Sequence, residues 1–484
     1  MSRPLTLALA LIGALTATAS AESGEHVSTL SDQRGVGVTI YNTDLALVRD
    51  RRHLTLPAGE SRLALRDVSA RIIPETALLQ SVDAPGRISV LEQNFDYDLL
   101  SPQKLLEKYV GRDVVVIRTD PHTGARTRER ARVLATNDGV VLRYADRIET
   151  SVDGTLAFPD LPPDLRDRPT LVTDLADAKA GEQDVELTYL SGGLNWKADY
   201  TAELAPNDDR IDLRGLITLQ NASGTAYRDA GVQLVAGDVN VVNNAFRTGN
   251  LQGLATIGAV RSAPVTQQAL LEYHLYTLPR HTTILDKQTK QVELMSASSV
   301  PVTKTLELRG AADYYGSQQS DLGQRLKVGT YLAFVNEGGE LGIPLPKGAV
   351  RVYKRDNAGT AQFVGSDTID HTPKGETVRL HLGDSFDVTA TKKQTEFHIV
   401  DLVGVEVHGG QVRTRAYQSS YEIVLRNAKP AAQEVLVVEP IPGDWTILRS
   451  SAPYKKTSAS TATWTLTVPP AGATTLTYTA QVRF

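Results

Sequence analysis

Four aspartates and two histidines, one of them His371 beside Asp370, crowd the stretch from Asp367 to Asp387. Asp367, Asp370 and His371 precede Thr372-Pro373-Lys374-Gly375, and Asp384 and Asp387 follow the strand pattern of Glu376 to Leu382. If that strand pairs with its predecessor, the two acidic ends meet. Carboxylates with one imidazole can then hold a hard divalent cation, or act as acid and base in a hydrolysis. Asp beside Gly, Ser or Thr is also a turn former, and Gly383-Asp384-Ser385 reads equally well as a turn. One observation separates the two readings. Asp370, His371, Asp384 and Asp387 gathered in a cleft make a metal-assisted hydrolase; the same residues dispersed on turns favour a binding module.

A second pattern is Arg126, Arg128, Arg130 and Arg132. Period two puts all four guanidinium groups on one side of a strand, spread over about 20 Å at the usual rise per residue. Such a row can grip phosphate or carboxylate groups on an acidic envelope protein or an anionic envelope polymer such as lipopolysaccharide. The bland reading is a solvated face: Glu129 interrupts the other side of the strand, and acidic residues nearby reduce the local field. Familiar catalytic signatures are missing: no G-x-S-x-G elbow, no H-E-x-x-H helix, no phosphate loop and no dinucleotide fingerprint. The chain has no cysteine, so thiolate metal sites, disulfides and cysteine nucleophiles are excluded together. No cofactor is expected beyond the divalent cation just considered.

The elements that must position these groups are strands. Alternating runs at residues 35–41, 45–56, 61–65 and 88–91 are parted by Pro57-Ala58-Gly59-Glu60 and Pro85-Gly86 turns. Ser101-Pro102 is a helix N-cap followed by proline at the first helical position, and Gly111 ends that short helix. Five short strand patterns follow up to Phe158, so the sequence predicts a small SH3-like or Sm-like barrel over 101–158, inserted in an N-terminal β domain of residues 22–100 that continues at 159–184. Strand patterns resume in a central sandwich over 185–310, interrupted by a Gly/Asn/Gln-rich loop at 241–270. They run on through a C-terminal sandwich region over 311–484, whose last immunoglobulin-like unit begins near residue 394. The expected class is all-β, with two or three sandwich-like domains. Leu219-Gln220-Asn221, Phe334-Val335-Asn336 and Leu425-Arg426-Asn427 each end a strand with Asn, three copies of one corner in which Asn serves a turn.

One string is distinctive: Gly192-Gly193-Leu194-Asn195-Trp196-Lys197-Ala198-Asp199-Tyr200. Together with Leu234-Val235-Ala236-Gly237-Asp238 and Gly383-Asp384-Ser385-Phe386-Asp387-Val388 it resembles the bacterial family of domain of unknown function 4139, the mucoidy-inhibitor-A-like proteins, over nearly the whole chain. The long coiled coil of the mucoidy-inhibitor branch has no counterpart here. The resemblance implies no catalytic residues to carry over. Read physically, Gly192-Gly193 permits a tight turn, after which Leu194, Trp196 and Ala198 share one side of a strand with Tyr200. Trp196 then plugs a core; stacking on a sugar is the alternative.

The balance of 51 Lys+Arg against 56 Asp+Glu, a net charge of −5, gives no chain-wide basic surface for nucleic acid. Arg3, the apolar run Leu5–Leu15 and Ala19-Ser20-Ala21 predict a signal peptide cut after Ala21. No later apolar run is long enough to span a bilayer as a helix. The sequence thus points to an exported protein, periplasmic or secreted, acting as a binding or cell-envelope structural module. Leu476, Tyr478, Ala480, Val482 and Phe484 alternate up to a terminal aromatic, which leaves an outer-membrane-associated β protein as a further alternative.

Overall fold

The computed structural model describes residues 24–96, 99–137, 139–162, 165–237, 266–270, 273–319, 322, 325–338, 340–402, 406–407, 410–411 and 414–483. The residues read as a signal peptide, residues 241–265 of the expected loop and the terminal Phe484 lie outside them, and Thr266–Leu270, expected within that loop, is instead a strand paired with Tyr273–Thr277. The protein is nearly all β, with 64% strand. Pro102–Lys108 is the one α-helix among the described residues, and none of these residues forms a helix long and apolar enough to cross a membrane.

Two compact units divide the chain and alternate along it. One takes the described residues up to Val38 with 47–193 and 222–230, the other 39–46, 194–221 and 231–483. The division at Gly193/Leu194 falls inside the stretch 185–310 that the sequence assigns to one sandwich.

In the first unit Gly59–Arg66 and Thr170–Asp177 pair antiparallel at the centre of a four-stranded sheet, edged by His26–Ser28 and Ile88–Asp96. Arg52, fully buried, ties this unit together. Its guanidinium donates to Asp50 at 2.8 and 3.0 Å, to the Ser28 carbonyl at 3.1 Å and to the Arg66 carbonyl at 2.7 Å. A charge so deep is tolerable because its donors are answered. Between the central strands the chain forms the small insertion. Ser101 Oγ accepts from the Lys104 amide at 3.1 Å, Pro102 fills the first turn and Gly111 leaves it at φ +84°. The five-stranded sheet that follows closes over its own core of Tyr109, Val114, Val116, Ala131, Val133, Leu142 and Tyr144.

In the second unit a five-stranded sheet runs in the order Gln288–Pro301, Arg210–Asn221, Leu194–Leu204, Gly348–Arg355, Ala361–Ile369, with the third and fourth strands parallel. A nine-stranded mixed sheet runs from Asp444–Ser450 to Lys455–Ser458 and encloses a core containing Trp445, Trp464, Tyr421 and Tyr478. The C-terminal strand Ala473–Arg483 lies inside this sheet. Leu476, Tyr478, Ala480 and Val482 are all buried in the protein core, so their alternation is that of a sandwich strand.

The three asparagines share a role that goes beyond the expected turn, although Asn427 Oδ1 does accept from the Lys429 amide two residues on, at 2.9 Å. None adopts a left-handed backbone, and all three are buried. The Asn221 amide donates to the carbonyls of Ile284 and Leu285. That of Asn336 donates to Ile343, Thr372 and Pro373, and that of Asn427 to Ala431, Val468 and Pro469. A primary amide has two N–H donors on one nitrogen, so a single side chain can satisfy carbonyls of loops that no strand reaches. Tyr315, in the 3-10 turn Ala312–Tyr315, is likewise wholly buried.

Candidate functional site

Arg126–Ala135 is the middle strand of the small five-stranded sheet. Ala131 and Val133 are buried in its core, while Arg126, Arg128, Arg130 and Arg132 are exposed. Directly paired residues share a face, so register decides what stands beside the stripe. On one side the partners are Thr119, Ile117, Val115 and Asp113; on the other Arg132 meets Arg143, also exposed. Among the described residues paired in register with this row, the five guanidinium groups stand with one carboxylate, Asp113, which takes Arg132 Nε at 2.9 Å. Glu129, expected on the other side of the strand, spends its charge there. It accepts two bonds from Arg147, at 3.0 and 2.8 Å, and lies 3.5 Å from Arg118. Hydrogen bonding to Glu129 and then Glu149 holds Arg147 above the ordinary guanidinium range, and the bond from Arg147 lowers Glu149. Glu129 and Glu149 are thus matched by arginines on one face, while Arg126, Arg128 and Arg130 are exposed on the other. Next to Arg130 the surface dips into a hollow of about 410 Å³ lined by Val114, Val115, Ala157, Phe158 and Pro159.

The acidic stretch is laid out differently from the arginine row. The strand Thr377–Leu402 finds its ladder partners in Leu326–Val335 and Thr414–Asn427, and not in its predecessor Ala361–Ile369, which pairs with Gly348–Arg355. Asp384 is 2.9 Å from Lys327 and Asp370 is 3.5 Å from Lys347, both in exposed pairs. His371 Nδ1 accepts from the Lys347 amide at 3.2 Å, Asp387 is exposed, and Asp367 accepts from the amides of Thr368 and His381. Asp370 and Asp384 pair with different lysines, and Asp367 is held by two backbone amides. Among the described residues no three His, Asp or Glu side chains are grouped to hold a metal ion.

The Gly-Gly-Leu-x-Trp string sits in the core. Gly193 has φ +82°, and a Cβ there would stand 2.7 Å from the Ala222 carbonyl oxygen, so the turn requires glycine. Trp196 is 3% exposed and donates to the Val235 carbonyl at 3.3 Å, with its ring against Tyr276; no face is open to a sugar. Tyr200 is buried and donates to the Pro346 carbonyl at 2.8 Å, and burial raises its pKa well above the ordinary tyrosine range. Asp199, on the opposite side of the strand, accepts from Thr218 Oγ1 at 3.0 Å and Arg351 at 3.1 Å. These residues hold the parallel junction of Leu194–Leu204 with Gly348–Arg355. No protein-family model and no curated protein matches the chain.

Sequence reading missed a trough of about 580 Å³ on the outer face of the nine-stranded sheet. One polar row crosses four strands there: Glu396, Ser420, Thr479, Arg449. Ser420 Oγ bonds Glu396 at 3.1 Å and Thr479 Oγ1 at 3.0 Å. The register slips between Gln394 and Glu396 on one flank and between Ile447 and Arg449 on the other. Bulges increase local twist, and here they dish the face between a carboxylate and a guanidinium. Hydroxyls at alternate positions, such as Thr475, Thr477 and Thr479, were the available signal.

Proposed function

We propose that this is an exported, periplasmic binding module of the cell envelope that holds an anionic envelope polymer on the arginine face of its small inserted domain. The observation that carries the reading is the row Arg126, Arg128, Arg130, Arg132 with Arg143, exposed and with one carboxylate among the described residues paired in register with it. An extended row matches an extended anion better than a compact one, and guanidinium groups bind phosphate and carboxylate in two-point fashion. The apolar hollow beside Arg130 suits a ligand whose phosphates adjoin hydrocarbon, as in the lipid end of lipopolysaccharide. The resemblance of residues 189–200 to the domain of unknown function 4139 family belongs to this proposal and adds no activity to it.

Replacing Arg126, Arg128, Arg130 and Arg132 together by Gln should leave stability within about 0.5 kcal/mol per site, since exposed side chains contribute little to folding. Capture on immobilised lipopolysaccharide at low salt should fall at least about tenfold, and wild-type capture should weaken as salt rises and screens the charges. Equal capture of the two proteins overturns the reading. Export is checked separately: N-terminal sequencing of protein recovered from the periplasm should begin at Glu22. A cytoplasmic chain that retains Met1 is the contrary result.

A further inference from the structure

Inside the nine-stranded sheet Lys392 and Glu439 meet with both side chains fully buried, Nζ 2.7 Å from Oε2. They stand on strands that are not neighbours, since Leu326–Val335 and Thr303–Arg309 separate Thr377–Leu402 from Gln433–Pro440 in the sheet order. The contact therefore spans the core. Four tyrosine rings surround the amine: Tyr314 at 4.5 Å, Tyr421 at 4.7 Å, Tyr315 at 5.8 Å and Tyr478 at 5.9 Å. Tyr315 donates to Glu439 Oε2 at 2.9 Å and its oxygen lies 2.9 Å from that of Tyr478. Glu439 Oε1 is buried without a hydrogen-bond partner. Gly310 closes over the carboxyl so tightly that a Cβ there would stand 2.2 Å from Oε2.

As a pair of ions this arrangement is poorly satisfied. An ammonium has three donors and here meets one acceptor, while a carboxylate in a dry core wants donors on both oxygens. An amide has neither need: one N–H, and one oxygen, which Tyr315 already serves. We propose that Lys392 Nζ and Glu439 Cδ are joined by an amide bond in the mature protein. The residues supply what the step requires. Desolvation lowers the Lys392 pKa and favours the free amine, whose surrendered proton is taken by the Glu439 carboxyl. Burial keeps Tyr315 and Tyr478 protonated well beyond the ordinary tyrosine range, and Tyr421 is pushed up to about 12. The amine lone pair attacks Cδ, and Tyr315 stabilises the oxygen that gains charge. The unpartnered Oε1 takes a proton from nitrogen and leaves as water. One C–N bond forms, one C–O bond breaks, and no oxidant or co-substrate is needed. The bond would cross-link positions 47 residues apart.

Mass spectrometry of the denatured full chain tests this directly. The wild type should be lighter than its sequence by one water. Trypsin should leave Lys392 uncut and release a branched peptide of residues 380–393 joined to 427–449. Lys392→Arg, which keeps the charge but cannot form this amide, should return the sequence mass and separate peptides, and Glu439→Gln should instead lose one ammonia. A wild-type chain at full sequence mass that is cleaved after Lys392, or a lost water that maps elsewhere, overturns the proposal.

Discussion

Glu439→Ala is expected to destabilise the protein by about 3–5 kcal/mol, because it leaves the fully buried Lys392 amine with neither a covalent nor a hydrogen-bonded partner. The substitution leaves the Lys392 amine among four aromatic rings without its carboxyl partner and takes the acceptor from the Tyr315 hydroxyl, while Gly310 packs against empty space. The four ring contacts to Lys392 cannot make good that loss, since they are already present before the substitution. Tyr315→Phe removes two hydrogen bonds, to Glu439 and with Tyr478, and fills nearly the same volume, so it should cost about 2 kcal/mol. Midpoints of urea unfolding, followed by tryptophan fluorescence of Trp445 and Trp464 in the same core, measure both. A loss below about 1 kcal/mol for Glu439→Ala would show that the amine reaches water or another acceptor, against the buried geometry.

Asn336→Ala should cost about 3 kcal/mol, from hydrogen bonds worth about 1 kcal/mol each and buried carbonyls left unpaired. Its Nδ2 donates to Ile343 at 2.8 Å, Pro373 at 3.0 Å and Thr372 at 3.3 Å, and its Oδ1 accepts from the Gly342 amide at 3.1 Å. The contrast that identifies the cause is Asn336→Asp. A carboxylate of the same shape would face three carbonyl oxygens with no proton to offer, so at neutral pH it should be at least as damaging as Ala. If asparagine were there for its turn preference alone, Asp, which shares that preference, would be tolerated. Thermal unfolding of the two variants distinguishes the cases.

Much of the fold was legible because strands and caps are local matters. The five strand patterns between residues 114 and 158 appear within a residue or two of their observed bounds, and the Ser101-Pro102 start of the helix is where it was expected. The arginine row was legible for the same reason: alternation on a strand fixes which side chains share a face before any partner is known. That Glu129 stands on the opposite side was legible as well; that Arg147, eighteen residues away, is its partner there was not. The acidic stretch shows the limit more sharply. Its residues are close in sequence, but the strand Thr377–Leu402 pairs with distant partners and leaves Asp370 and Asp384 to separate lysines.

The core pair sits on both sides of that line. Val388, Ala390 and Lys392 alternate inward, as do Val435, Val437 and Glu439, so each charged residue announces itself as a polar side chain at a core position. That much was determined by the sequence itself, as were the β class, the period-two faces and the small capped helix, because these depend on side-chain volume, polarity and backbone preference within a few residues. That Lys392 meets Glu439, that Asn336 gathers the carbonyls of two separate loops, and that Leu194–Leu204 runs parallel to Gly348–Arg355 were decided by tertiary structure alone. Such pairings are selected by the burial and hydrogen bonding of segments far apart along the chain, and a local pattern carries no information about which distant strand will supply the partner.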